Sequence, residues 1–224
     1  MDIGEKKLII FDFDGTLIDS GPDLALALNF MLERIGRKPF SEEIIHGWVG
    51  NGAQTLVKRA LLGKIEINET LDEGLFTKAL KIFLDSYEKN VCVKTLLYPH
   101  VKDTLAALQK KDYILSIVTN KPYAFIEPIL EGLKIVNYFD YYIGGDSLRE
   151  KKPSPLPLLH ICEKFKIDTT KALMVGDSKN DLLAAHAAKI DSVGVSYGYN
   201  YGEDIATYKP NVVLHDISEI LEVL

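Results

Sequence analysis

The chain has 224 residues, 47% of them hydrophobic and 26% charged, which suits a folded domain with a sizeable core and excludes the disordered and fibrous classes. A formal net charge of -6 argues against nucleic acid as a partner, so an anionic ligand has to be met by local positive charge. Cys92 and Cys162, the only cysteines, have no close spacing and no ligand cluster nearby, which gives little support to a disulfide framework or a zinc site, and no apolar run is long enough to cross a bilayer. The opening MDIGEKK lacks the cationic-then-apolar layout of a signal peptide, and a cytoplasmic protein is expected.

The first predicted element is a strand within LIIFDFDGTLIDS, residues 8–20. Its β-branched and aromatic run ends on Asp12, skips Phe13 and presents Asp14. Side chains at i and i+2 share a strand face, so the two acids start out on one side while Phe11 and Phe13 face the opposite layer. Two carboxylates that close repel unless something positive lies between them. Gly15 permits a sharp turn, and Thr16 can hydrogen-bond back into it.

From about Pro22 to Asn90 the pattern is helical throughout: ALALNFMLERIG, AQTLVKRALLG and LFTKALKIFLDSYEKN carry apolar residues at three- and four-residue spacing, and no strand interrupts them. From Tyr98 onward helices and strands alternate. The series is helix VKDTLAALQKK, strand YILSIVTN, helix AFIEPILEGL, strand YYIGGD, helix LPLLHICEKF, strand ALMVGDS, helix NDLLAAHAA, strand SVGVS and a last strand NVVL. Such alternation implies parallel pairing through right-handed crossovers, hence an α/β fold with a doubly wound, mainly parallel, Rossmann-like sheet. The predicted organisation is a core of residues 1–20 and 96–224 with an all-helical cap, residues 21–95, inserted after the first strand. The two linkers fall near Asp19 to Pro22 and Thr95 to Pro99.

Open α/β sheets bind ligands beyond the carboxyl ends of their strands. Asp12 and Asp14 end the first strand, Thr119 and Asn120 the second; Lys151 and Lys152 follow the third, and Gly176, Asp177 and Ser178 end the fourth. Aspartates converging without thiols or a histidine cluster make a hard, oxygen-rich site suited to magnesium and a phosphate oxygen. Asp12 is then the candidate nucleophile towards phosphorus, and Asp14 the candidate acid and base. Lys152, the Thr119 hydroxyl and the Asn120 amide are candidates to hold the phosphoryl oxygens. On the cap, Gly50, Asn51 and Gly52 precede a helix whose free N–H groups can meet an anion, and Arg59 further along it is a candidate partner for a substrate carboxylate.

Asp12-Phe13-Asp14-Gly15-Thr16 matches a DxDGT motif, Thr119 a strand-ending Ser/Thr motif within VTNKP, Lys152 a Lys-Pro motif in KKPSP, and Asp177 to Asp181 a GDSxxD pattern. In this order over nearly the whole chain, they resemble the haloacid-dehalogenase-type hydrolases. The resemblance implies that Asp12, Asp177 and the main-chain carbonyl of Asp14 bind Mg2+, and that Ser178 and Asp181 lie in support behind them. It further implies that Gly15, Thr16, Asn120, Lys121 and the cap loop Gly50 to Gly52 contact substrate. An acid at position 14 favours phosphate esters over carbon–halogen bonds, and a cap inserted after the first motif implies a small phosphorylated metabolite as partner. VTNKP, GGDSL, VGDSKNDLLAAHAA and SVGVSYGYNYGED are similar to the phosphoglycolate phosphatase branch, with His100 standing where its members carry Gly. The expected reaction is hydrolysis of 2-phosphoglycolate through an aspartyl-phosphate. Action on another small phosphate, a phosphomutase and a non-catalytic phosphate-binding module are the alternatives, and the oligomeric state is open between monomer and homodimer.

Overall fold

In the computed structural model, which describes residues 3–224, the first two residues of the predicted core segment lie outside the described part. In chain order the elements are β1 (Leu8–Phe11), β2 (Ile18–Asp19), α1 (Gly21–Arg34), α2 (Glu42–His46), α3 (Ala53–Leu62), α4 (Glu73–Lys89), β3 (Leu96–Leu97), α5 (Val101–Lys110), β4 (Ile114–Val118), α6 (Ile126–Gly132), β5 (Tyr141–Ile143), α7 (Leu156–Phe165), β6 (Ala172–Gly176), α8 (Lys179–Ala188), β7 (Asp191–Val195), β8 (Val212–Leu214) and α9 (Ile220–Val223). Six of the strands form a sheet in the order β5-β4-β1-β6-β7-β8, every neighbouring pair parallel.

The period of two in β1 divides the core. Ile9 and Phe11 pack with Leu115, Ile117, Leu173 and Val175 against Val101, Leu105 and Leu108 of α5 and Ile126 and Ile129 of α6. Leu8 and Ile10 face the other way, onto Leu158 and Ile161 of α7 and Ala184 and Ala185 of α8. Strands buried on both faces read as unbroken apolar runs, as LIIF does. With β4 on one side of β1 and β6 on the other, the chain reverses its direction of travel across the sheet at β1. The crevice beyond its carboxyl end is where such a sheet binds ligands.

Helices α1 to α4 enclose a second apolar core, built on Leu28, Met31, Val57, Ala79, Phe83 and Tyr87, with Phe125 of the sheet-bearing part packed into it. The short α2 is started by Ser41, whose hydroxyl accepts from the Ile44 amide at 3.4 Å, and α4 by Asp72, which accepts from the Leu75 amide at 2.6 Å. Two features of the connection are absent from the sequence reading. The two-residue strands β2 and β3 pair antiparallel, Ile18 with Leu97 and Asp19 with Leu96, so the chain leaves for the helices and returns from them side by side. Asp23, fully buried in the first turn of α1, accepts from the backbone amides of Val93, Lys94 and Thr95 at 2.8–3.0 Å and from the Thr95 hydroxyl at 2.7 Å. The predicted strand YYIGGD stops at Ile143, because the Gly145 amide turns to the Lys121 carbonyl at 2.8 Å and the Gly144 amide to the Ser147 hydroxyl at 2.9 Å.

Candidate active site

The four sets of strand-end residues meet in the crevice beyond β1. The Asp12 amide continues the β1–β6 ladder to the Val175 carbonyl at 2.8 Å, so its carboxylate emerges where the strand ends. The chain then turns: the amides of Leu17 and Ile18 donate to the Phe13 carbonyl, and Phe13 stays in the core layer of Phe11. Gly15 sits at φ +90°, and a side chain there would meet the Asp177 carboxylate at 2.3 Å, so only glycine lets the first loop close on Asp177.

Asp12 and Asp14 do not share a counter-ion. Lys152, one of the largest fully buried side chains, places its ammonium 2.9 Å from Asp12 and 2.6 Å from Asp181. Lys121, also buried, reaches Asp14 at 2.9 and 3.2 Å, and the Ser20 hydroxyl donates to the same carboxylate. Burial, reinforced by Asp181, pushes the Asp12 carboxyl up to about 7 in spite of Lys152. Burial followed by Asp12 and Asp181 holds Asp177 well above the usual carboxylate range. Burial opposes the charges of both lysines, yet their carboxylate partners keep each above the ordinary lysine value.

One oxygen from each of Asp12, Asp177 and Asp181 falls within 4.8 Å of the others, and all three residues are buried. An all-carboxylate set of this kind fits a hard divalent cation, and a cation there would relieve the mutual repulsion that raises Asp12 and Asp177. Asp177 is held by the Thr16 hydroxyl at 3.0 Å and the Tyr199 amide at 2.7 Å. Asp181 is more heavily engaged. One oxygen takes Lys152; the other takes the amide and hydroxyl of Ser178, closing a capping box at the start of α8. Ser178, not Asp177, is therefore the residue at the helix start, which leaves Asp177 turned towards the site.

Above the carboxylates lies a cavity of about 490 Å³ including its mouth. Asp12, Asp14, Thr119, Asn120 and Lys121 line its floor, and Gly50, Gly52, Leu56, Phe83 and Tyr87 line the helical side. Thr119 accepts from the Lys121 amide at 3.2 Å, and the Asn120 side-chain amide bridges the carbonyls of Gly50 at 3.1 Å and Lys152 at 3.0 Å. Asn51 is occupied differently: its carbonyl accepts from the Lys151 ammonium at 2.7 Å and its side-chain oxygen from the Tyr201 hydroxyl at 2.7 Å. These bonds, with Asn180 donating to Tyr201 at 3.1 Å, fasten the loop before α3 to the sheet-bearing part.

Arg59 is engaged with backbone carbonyls of its own helical part. It lies six residues into α3, roughly 9 Å along the axis from Ala53, and its guanidinium donates to the Trp48 carbonyl at 2.6 Å and the Ile65 carbonyl at 2.9 Å while resting 5.3 Å over the Tyr201 ring. It is not among the residues that line the cavity. Tyr87, by contrast, escaped sequence reasoning: in the stripe of α4 that holds Ala79 and Phe83 it is indistinguishable from a core aromatic.

Residues 9–195 match the sequence profile of the haloacid dehalogenase-like hydrolases. The chain is 48% identical over 221 residues to the phosphoglycolate phosphatase of Colwellia psychrerythraea, covering 99% of this chain and 98% of that one. It is 47% identical, also over 221 residues, to the phosphoglycolate phosphatase of Psychrobacter arcticus, covering 98% and 96% of the two chains. A crystal structure from Haemophilus somnus, described as that of a "predicted phosphoglycolate phosphatase", superposes with a TM-score of 0.91 at 42% identity over 98% of both chains. Shared over nearly its full length in sequence and in backbone, these likenesses place one conclusion beside the geometry: the chain belongs to the haloacid dehalogenase-like hydrolase family.

Proposed function

We propose that the protein is a magnesium-dependent phosphatase that hydrolyses 2-phosphoglycolate to glycolate and phosphate. The observation that carries the reading is the convergence of Asp12, Asp14 and Lys152 beneath a cavity with a cationic floor residue, Lys121. The names of the two relatives described above support the substrate. Residues 21–95 act as the cap and residues 1–20 with 96–224 as the catalytic core. The net charge of -6 supports a small-molecule partner over nucleic acid, and among the described residues no helix is long and apolar enough to cross a membrane. Both fit a cytoplasmic enzyme.

The Asp12 carboxylate attacks phosphorus, forming an aspartyl-phosphate as the ester bond to the glycolate oxygen breaks. Asp14 gives its proton to that oxygen and later takes one from the water that attacks the aspartyl-phosphate, regenerating Asp12. Lys152 holds the Asp12 carboxylate in place and opposes charge gathering on the phosphoryl oxygens, to which the Thr119 hydroxyl donates. Asp12, Asp177 and the main-chain carbonyl of Asp14 would hold Mg2+, which would supply positive charge to the same oxygens. The apolar wall of the cavity excludes bulk water while the ester is broken.

The test is phosphate release from a panel of small phosphates with and without Mg2+. Metal-dependent release that is greatest for 2-phosphoglycolate is expected; no release from any of them at saturating metal would end the proposal. Asp12→Asn should abolish turnover, and an active variant refutes the nucleophile.

A further inference from the structure

Two polar atoms that line the cavity make no hydrogen bond, Asn120 Oδ1 on the floor and the Tyr87 hydroxyl on the helical side, and the second has no assignment in the mechanism above. Tyr87 is 1% exposed, lines the cavity, and its hydroxyl makes no hydrogen bond within 3.5 Å, the Lys121 ammonium being a looser polar neighbour. Buried hydroxyls nearly always have a hydrogen-bond partner, and an orphan on the wall of a ligand cavity is placed to take its partner from the ligand. The ring is held from two sides, stacked on Phe83 at 5.9 Å and met edge-on by Phe125 at 5.0 Å, so the hydroxyl position is set by packing. The Lys121 ammonium lies 4.9 Å over the ring. Burial pushes the phenol up to about 12, so it remains a donor at neutral pH.

What surrounds this hydroxyl selects the ligand's chemistry. Lys121 lines the same cavity as a buried cation. Gly52 and Ala53 line it too, where α3 starts without a capping side chain, so the positive end of that helix is turned to the same space. Phenol, ammonium and helix amides are all donors, and the rest of the wall, Leu24, Leu56, Phe83 and Phe125, is apolar. An anionic end fits this set of donors.

We propose that Tyr87, with Lys121 and the start of α3, receives the carboxylate of the substrate and so determines its specificity. The inference rests on the 2-phosphoglycolate reading above and adds the residue that makes the choice. Lys121 then has two partners, Asp14 and the incoming carboxylate, and Tyr87 reads the second end without touching the phosphoryl group.

The experiment compares 2-phosphoglycolate with ethyl phosphate, which has the same ester and chain length but a methyl group in place of the carboxylate. Wild type and Tyr87→Phe are assayed on both. The preference of the wild type for 2-phosphoglycolate, as a ratio of kcat/KM, should fall about tenfold to a hundredfold in the variant, as for one lost hydrogen bond to a charged group. The loss should be carried by KM more than by kcat, and competitive inhibition by glycolate should weaken in parallel. Tyr87→Phe keeps both ring contacts, and its urea midpoint confirms the fold. A variant whose preference and glycolate inhibition stay within twofold of wild type overturns the role of Tyr87 while leaving the substrate intact. A wild type that does not prefer 2-phosphoglycolate over ethyl phosphate overturns the substrate reading, and this inference with it.

Discussion

Removing the carboxylate of Asp23 should loosen the root of the helical cap. Its carboxylate ties the outgoing chain, at the first turn of α1, to the returning segment of Val93 to Thr95. Val93 and Lys94 are exposed, so water can take over their amides once the carboxylate has gone. Thr95 is 3% exposed, and its amide and hydroxyl, at 2.8 and 2.7 Å from Asp23, would be left buried without an acceptor. Each unsatisfied buried donor costs about 1–3 kcal/mol, and the relief of not burying a charge offsets part of that. Asp23→Ala should therefore lower stability by about 3 kcal/mol. Asp23→Asn, which keeps one oxygen for the Thr95 donors but loses the charge, should cost about half as much. Urea unfolding followed by circular dichroism measures both, and a loss below about 1 kcal/mol for Asp23→Ala refutes the view that these bonds hold the two linkers together. Thr95→Val in the Asp23→Ala background should then cost much less than it does alone, because the two changes remove the same bond.

Asp181→Asn takes one of two carboxylates from the fully buried Lys152, and a loss of about 2–4 kcal/mol in urea unfolding is expected; a neutral result contradicts the pairing. Tyr201→Phe removes the hydroxyl between Asn51 and Asn180, so amide exchange over Gly50 to Gly52 should quicken, and unchanged protection contradicts its role in fastening that loop. The bonds from Ser218, followed by His100, lower Asp216 to about 2, below its ordinary value of 3.8, so its folded form favours the ionised state. Its stabilisation is present above pH 4 and is lost as pH falls towards 2. The acid limb of the stability–pH curve should accordingly be shallower in Asp216→Asn, and superimposable curves contradict the contact.

The sheet was legible because its strands are buried on both faces. LIIF and ALMVG are unbroken apolar runs between helical patterns, ILSIV is broken only by Ser116, and each parallel pairing follows from that alternation. The carboxylates and Lys152 were legible because each stands at a strand end or just after one, where topology alone brings distant residues together. What escaped notice depends on contacts that leave no period in sequence. Ile18–Asp19 and Leu96–Leu97 are too short to alternate, and Asp23 looks like any acid in a first helical turn. The bond of Arg59 to the Trp48 carbonyl was not legible because its place in α3 fixes its distance along the helix but not what that carbonyl offers it. The separate pairing of Asp14 with Lys121 escaped because period two predicts a shared face only while the strand lasts, and the strand ends at Phe11. His100, by contrast, repays its departure from glycine: it sits at φ +60°, a left-handed position that glycine adopts freely, and its ring meets Asp216 at 2.6 Å.

The division of the lysines between the two acids also favours an order of events. Around the crevice stand four carboxylates, Asp12, Asp14, Asp177 and Asp181, against two ammonium groups, Lys121 and Lys152. With every group ionised these six would carry two uncompensated negative charges, a surplus that the raised Asp12 and Asp177 relieve by holding protons and that a doubly charged cation would relieve by its own charge. A phosphate dianion would meet less repulsion where such a cation has already bound. Metal before ester is the order these charges favour.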